Sequence, residues 1–510
     1  MKTLRLILGD QLNYNHSWYQ KVDNDVIYMM AEVLQETNYV RHHIQKTASF
    51  FAAMRAFSNW LTTEGHSVKY YELSDPQNLH DFNKLIEKII KKEKIKRFEY
   101  QLPDEYRLDE QLKDFCQNLN IETGVVDTEH FYTSRTELED FFKGKKQYLL
   151  ESFYRHMRKK HDVLMNGSEP VTGKWNYDKE NRKKLPKDQQ IPAPKSFDNN
   201  VDEIVKMIDE KEIDYFGNID AEKLVWPINR NQSLELLDHF MTHCLPLFGK
   251  YQDALTDRDW SLFHSRLSFS LNTKMLSPQE VVDRSIEEWE NRKDEISIAQ
   301  LEGFVRQILG WREFMRGIYW AKMPDYESLN FFDHDNSLPS WYWTGKTKMK
   351  CMSHAINQSL DHAYAHHIQR LMITGNFALL AGVNPDELDD WYLGIYIDAI
   401  QWVEITNTRG MSQFADGGII GTKPYVSSAS YINKMSDYCK SCHYNQSKKT
   451  GEKACPFNSL YWNFYERHRN KLSGNHRIGM MYRTWDKMGS DRKTEYLKQA
   501  EYYLDNIESL

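Results

Sequence analysis

Leu4-Arg-Leu-Ile-Leu8, leading straight into Gly9-Asp-Gln-Leu12, is a short apolar run followed by a polar turn. Comparable runs recur at Val26-Ile-Tyr-Met-Met30, Val68-Lys-Tyr-Tyr71, Phe98-Glu-Tyr-Gln-Leu102 and Val125-Val126, with helix-period segments near 43–63, 78–93 and 105–118 between them. Strand and helix alternating in this way predict a Rossmann-like α/β domain, a doubly wound parallel sheet, over residues 1–131. Such sheets bind ligands beyond the carboxyl ends of their strands. Gly9, Asp10 and Leu12 stand at the first of these ends, and Ala31-Glu-Val33 with Glu36 at the second. The first loop lacks G-x-G-x-x-G, so a small planar heterocycle fits better than a dinucleotide. Helix capping is the plainer role for any one of these polar residues.

Outward from this domain the pattern changes. Residues 132–199 read as an interdomain linker and surface loop: 143–160 is basic and aromatic (Lys143, Lys145, Lys146, Tyr154, Arg155, Arg158), and Lys, Arg, Trp175 and Tyr177 are interleaved in the residues after it. That mixture suits either a nucleic-acid backbone or a plain solvated connection. From 200 to 510 apolar residues recur at three- and four-residue intervals, notably in 232–248, 278–289, 297–320, 354–374, 386–403 and 455–467. This predicts a large all-α domain able to enclose a big cofactor.

The chain has 510 residues and a formal charge of −7, which argues against bulk attraction to nucleic acid. A local basic stretch survives in 467–493, with Arg467, Arg469, Lys471, Arg477, Arg483, Lys487, Arg492 and Lys493 against Asp486 and Asp491. With no leader-like segment and no apolar run long enough to span a bilayer, a soluble cytoplasmic protein is expected, where thiols stay reduced.

Cys439-Lys-Ser-Cys442 and Cys455-Pro456, with Cys351 upstream, make a candidate tetrathiolate within 351–455. Four soft ligands suit zinc or an iron-sulfur cluster, and the proline after the last cysteine leans toward the cluster. Cys116 and Cys244 read as core thiols.

Tyr251-Gln-Asp-Ala, His264-Ser-Arg-Leu-Ser268, Leu271-Asn-Thr-Lys-Met-Leu-Ser-Pro278 and Ile308-Leu-Gly-Trp-Arg-Glu-Phe-Met-Arg316 resemble the flavin-binding half of the DNA photolyase and cryptochrome family. Tyr364-Ala-His-His-Ile-Gln-Arg-Leu-Met372, Gly375-Asn-Phe-Ala-Leu-Leu-Ala-Gly382 and the four cysteines resemble its bacterial iron-sulfur cryptochrome and (6-4) photolyase branch. The resemblance runs from residue 4 to about residue 485.

It implies FAD held by Ser265, Arg266, Leu267, Ser268, Lys274 and Arg312, with Glu404 and Asn407 beside the isoalloxazine ring. Cys351, Cys439, Cys442 and Cys455 would ligate a 4Fe-4S cluster. A 6,7-dimethyl-8-ribityllumazine antenna would sit against Gly9, Asp10, Leu12, Glu36, Tyr39 and Phe50, although Ala31 and Phe50 depart from the family pattern. Trp391, Tyr392 and Trp343 would carry electrons inward, and Ile400 stands where another aromatic is expected. His367, with His366, Leu371 and Tyr425, would face a (6-4) lesion in UV-damaged DNA, with a histidine acting as proton donor and acceptor.

The implied activity is a light-dependent (6-4) photolyase, a monomer repairing pyrimidine-pyrimidone photoproducts by electron transfer from excited reduced FAD to a flipped-out lesion. The alternatives are a blue-light photoreceptor with the same cofactors, and an iron-sulfur nucleic-acid-binding module resembling the primase large subunit.

Overall fold

The computed structural model describes residues 1–145 and 147–510, so Lys146 lies outside the described residues. Five parallel strands form the first layer: β1 (Thr3–Leu6), β2 (Val26–Ala31), β3 (Ser67–Tyr71), β4 (Arg97–Gln101) and β5 (Glu122–Val126). Their spatial order is β3-β2-β1-β4-β5, with Thr3 opposite both Val26 and Arg97. Every residue of β2 is buried, as expected of a parallel strand covered on both faces. Leu4, Leu6, Ile27 and Met29 pack on helices Phe82–Glu93 and Tyr106–Gln117, while Ile7, Tyr28 and Met30 pack on helix Ile44–Thr63. The order reverses between β1 and β4, where a doubly wound sheet opens a crevice.

The chain crosses between layers more than its periodicity shows. Leu138, Phe142, Phe153 and Tyr154, expected in a linker, join the helical core, and a Cβ on Gly317 would meet Leu138 at 2.4 Å. Helix Asp202–Glu210, expected to open the helical domain, returns to the sheet: Ile204, Met207 and Ile208 cluster with Phe51 and Met54 of helix Ile44–Thr63.

Two long helical stretches are also broken. The expected helix 354–374 stops at His362, where Ala363 adopts φ 51°, and restarts at His367. The stretch 386–403 becomes helix Pro385–Ile395, an extended piece, and a new helix from Gln401. Among the described residues no helix is long and apolar enough to cross a membrane.

The two layers are joined through Lys274. Its side chain is 1% exposed, and Nζ lies 2.6 Å from Asp104 Oδ2 and donates to the Asp10 carbonyl at 2.7 Å. Burial opposes ionisation of Asp104, but Lys274 and Arg316 outweigh it and hold the carboxyl below its ordinary range. Lys274 thus contacts the sheet domain. Arg312 donates to the Leu271 carbonyl at 3.2 Å and bonds His130 Nε2 at 3.1 Å.

Removing one partner of a buried pair strands the other charge, at a cost of about 3–5 kcal/mol. Lys274→Met is expected to destabilise the protein by that amount. Urea unfolding followed by tryptophan fluorescence checks it, and an unchanged midpoint would contradict the assignment.

Candidate active site and its neighbouring cavities

The breaks in the helices build the site. With helix Lys350–His362 ended at Ala363, the segment Tyr364–His366 turns back, and His366 N–H is accepted by Gln369 Oε1 at 3.1 Å. Gln369 and Gln358 hold each other by reciprocal amide bonds of 2.9 and 3.0 Å, which fixes the turn. His366 is 3% exposed and neither ring nitrogen has a protein partner. His367 opens the next helix with its side chain exposed. The protein packed around it and the nearby Arg370 lower its pKa to about 4, so it is neutral at pH 7. Leu371 follows one turn later and is buried.

Asp398 gathers three segments beside the histidines. Arg370 Nη1 is 3.0 Å from its Oδ1, Ser268 Oγ donates to Oδ2 at 2.6 Å, and Asn272 Nδ2 donates to its carbonyl at 2.7 Å. Arg370 also lies 3.8 Å over the ring of Tyr396. Neither Arg370 nor Asp398 is singled out by sequence reading. Their only signals are an arginine one turn after His367 and a lone acid in Ile395-Tyr-Ile-Asp-Ala-Ile400.

The Ser265–Ser268 turn contributes mainly its backbone. Arg266 has φ 55° and its guanidinium donates outward to the Lys195 carbonyl at 2.6 Å, while Leu267 N–H is accepted by Ser265 Oγ at 3.4 Å. Glu404 is buried in the first turn of helix Gln401–Ile405, not at a helix end. Its Oε1 has no partner, and burial with the nearby Asp389 carboxyl pushes its pKa well up. Asn407, on the following π-helical segment Thr406–Ser412, donates to the Val403 carbonyl at 2.7 Å. This segment packs tightly on a second π-helical segment, Arg370–Gly375. A Cβ on Gly375 would come within 2.1 Å of Ser412 Oγ, so only glycine fits. Such segments recur at functional sites.

A second pocket lies at the sheet's switch point. Gly9, Asp10, Glu36, Tyr39 and Phe50 line it, and Leu12 does not, being buried in the core below. Ile400 lines it too, so this residue reaches the α/β domain's pocket from the helical side. Arg107 clamps Glu36 with bonds of 2.8 and 3.0 Å and covers the ring of Tyr39.

Trp391 is fully buried, with its ring centroid 5.1 Å from those of both Tyr392 and Tyr342. Trp343 lies farther out, edge-on to Phe216 at 5.1 Å. Cys351, Cys439, Cys442 and Cys455 line one small cavity with Phe457 and Tyr438. Among the described residues no three His, Cys, Asp or Glu side chains form a group that could hold a metal ion.

The long loop is a built element. Arg158 donates to the carbonyls of Val163, Leu164 and Trp175; Arg258 to those of Pro186, Lys187 and Gln189; and Lys184 to those of Asn433 and Ser436. Trp175 is covered by Arg155, Arg158 and Lys159, and Tyr177 is buried with its hydroxyl on Thr172. Neither ring is presented to a nucleic acid. The loop instead brings Asp178 and Arg182 beside Tyr425 and Asp253, where burial raises the Asp253 pKa to about 6. The basic stretch is thinned by pairing, since Arg469 meets Glu466 and Asp486, and Lys471 meets Asp333. Arg477, Arg483, Lys487 and Arg492 remain exposed.

Over the whole of both chains the protein is 41% identical to a (6-4) photolyase of Agrobacterium fabrum. The chain belongs to the DNA photolyase and cryptochrome family. A family model described as deoxyribodipyrimidine photo-lyase-related protein matches residues 5–224. Two solved structures share the photolyase fold at low identity. A class III photolyase from Agrobacterium tumefaciens aligns with TM-score 0.55 and 14% identity over 83% of this chain and 81% of that one. A Synechocystis cryptochrome aligns with TM-score 0.56 and 12% identity over 97% and 93%.

Arg258→Ala should free the photolyase-fold loop without unfolding the core. Trypsin is expected to cut at Lys183, Lys184 or Lys187 several-fold faster, with thermal stability nearly unchanged; equal cutting rates would refute the tether.

Proposed function

We propose that the protein is a light-driven (6-4) DNA photolyase, a cytoplasmic monomer acting on UV-damaged DNA. The observation that carries this reading is the full-length kinship with a (6-4) photolyase. The paired histidines, one buried and one exposed, agree with it. Among the described residues Glu404 Oε1 and the His366 nitrogens are buried without a partner, which suits contact with a polar heterocycle. FAD would be held by the Ser265–Ser268 turn, Glu404 and Asn407, and when bound and reduced it supplies the photoexcited electron donor.

Burial and the nearby Asp389 carboxyl push the Glu404 carboxyl well above its ordinary range, which favours the protonated form that can donate a hydrogen bond. Arg370, fixed by Asp398, sets the cavity wall. His367 gives a proton to the hydroxyl that migrates between the lesion's bases and takes it back afterwards. In the DNA-free protein His367 is neutral; the phosphates of docked DNA raise its proton affinity, so the acid forms in the complex. Tyr425, Asp253 and Arg182 border the entrance, and Arg477 and Arg483 offer phosphate contacts nearby.

In the second pocket, Gly9, Asp10, Glu36, Tyr39 and Phe50 would hold the lumazine antenna. Trp391, Tyr392 and Trp343 form the inward electron route. The four cysteines would carry a 4Fe-4S cluster. Burial and mutual proximity push the Cys455 thiol up to about 12 and the Cys351 thiol well above its ordinary range, so without a cation these two stay protonated, and a bound cluster would replace those protons.

Illumination of a (6-4) oligonucleotide with the protein is expected to restore the intact pyrimidines. His367→Ala should lower that rate at least about 100-fold with yellow flavin retained. A protein that binds flavin but repairs nothing would instead be a photoreceptor. Cys442→Ser should purify with little iron or acid-labile sulfide; undiminished iron would remove Cys442 from the ligand set.

A further inference from the structure

Repair through His366 and His367 leaves a third imidazole on the same wall without a role. His264 stands at the head of the Ser265–Ser268 turn, and its ring lies face to face with His366, centroids 4.5 Å apart and planes inclined by 14°. Its Nε2 is buried without a partner, as are both ring nitrogens of His366. Buried polar atoms in native proteins are hydrogen-bonded, so these three nitrogens call for a bound water or ligand. Parallel stacked rings cannot bond each other edge to edge, so neither ring satisfies the other.

The surroundings supply no competing acid for the pair. Phe248 packs edge-on to His264 at 6.0 Å. The charged or titratable groups facing His366 are His264, His367, Arg370 and His354, and Arg370 is already paired with Asp398. His354 packs on Tyr438 at 5.0 Å. Two imidazoles this close cannot both carry charge, so the stack holds one proton at most.

We propose that His264 is a positioning residue for repair: it fixes the plane of His366 and, through cavity water, lends and recovers the proton that the histidines exchange with the lesion. The inference rests on the (6-4) photolyase reading. Lesion and repaired pair are isomers, so the proton given to the migrating hydroxyl as its old C–O bond breaks returns before product leaves, and none is consumed.

His264→Phe keeps the ring stack and removes both nitrogens; His264→Gln keeps a donor and acceptor that does not titrate. With flavin content matched, His264→Phe is expected to repair a (6-4) oligonucleotide about ten-fold more slowly or worse, and His264→Gln to recover part of the loss. The pH profile of His264→Phe should move to higher pH by about one unit. The reason is that removing a competing base and its positive charge raises the proton affinity of His366. Nitrogen-15 histidine NMR on the same proteins should show the same upward shift without any illumination. An unchanged rate with an unchanged profile and titration overturns the role of His264. No light-dependent repair by the unaltered protein, run alongside, overturns the photolyase reading and this role with it. Should His264→Phe fail to fold, His264→Gln alone decides: a wild-type rate and profile refute the proposal.

Discussion

A buried ammonium group, that of Lys274, ties the two halves of this molecule together at the end of the sheet. Lys274 leaves the helical domain just after the short helix Ser268–Asn272 and ends between the carbonyl of Asp10 and the carboxylate of Asp104. A charge this buried holds its place only while its partners do. Because Asp10 follows β1 and Asp104 follows β4, the contact sits at the point where the strand order reverses. The pocket formed there therefore borrows a wall, Ile400, from the helical domain. The relative placement of the two cavities is set by the same contact.

Within the helical domain, interruptions do the positioning. A continuous helix through 354–374 would carry His366 and His367 around its axis with no means of halting the chain between them. The left-handed residue at Ala363, the Gln358–Gln369 amide pair and the restart at His367 hold one imidazole buried and leave the next exposed. The two π-helical segments meeting at Gly375 act alike, widening a turn where Glu404, Asn407 and Leu371 must all reach the same space. Asp398 then binds the flavin-side turn to the histidine helix.

How much of this could be read beforehand depends on the range of the forces involved. The central strands were legible because the apolar runs of β1, β2 and β4 are buried by neighbours in sequence as well as in space, while the edge strands β3 and β5 are half-buried or exposed; helices 82–93 and 106–117 carry their own amphipathic pattern. The cysteines and the histidine pair were legible as chemistry. The protein contacts of Lys274 and Arg312 were not: only long-range packing against Asp104 and His130 shows them. Trp175 and Tyr177 had the composition of a stacking surface, yet cations on helix Leu150–Lys160 cover the one and the core takes the other. The return of helix Asp202–Glu210 to the sheet likewise depends on contacts with residues some 150 positions earlier.

Residues 186–195 are gripped largely by their main-chain oxygens: Arg258 donates to the carbonyls of Pro186, Lys187 and Gln189, and Arg266 to that of Lys195. A peptide oxygen is the same whatever side chain it accompanies. Descendants of this chain can therefore exchange many residues along 186–195 and keep those contacts, provided the two arginines survive. In this segment lineage is recorded in the gripping hands and not in the rope, so comparing the loop's own letters between species would misjudge how faithfully its course has been kept.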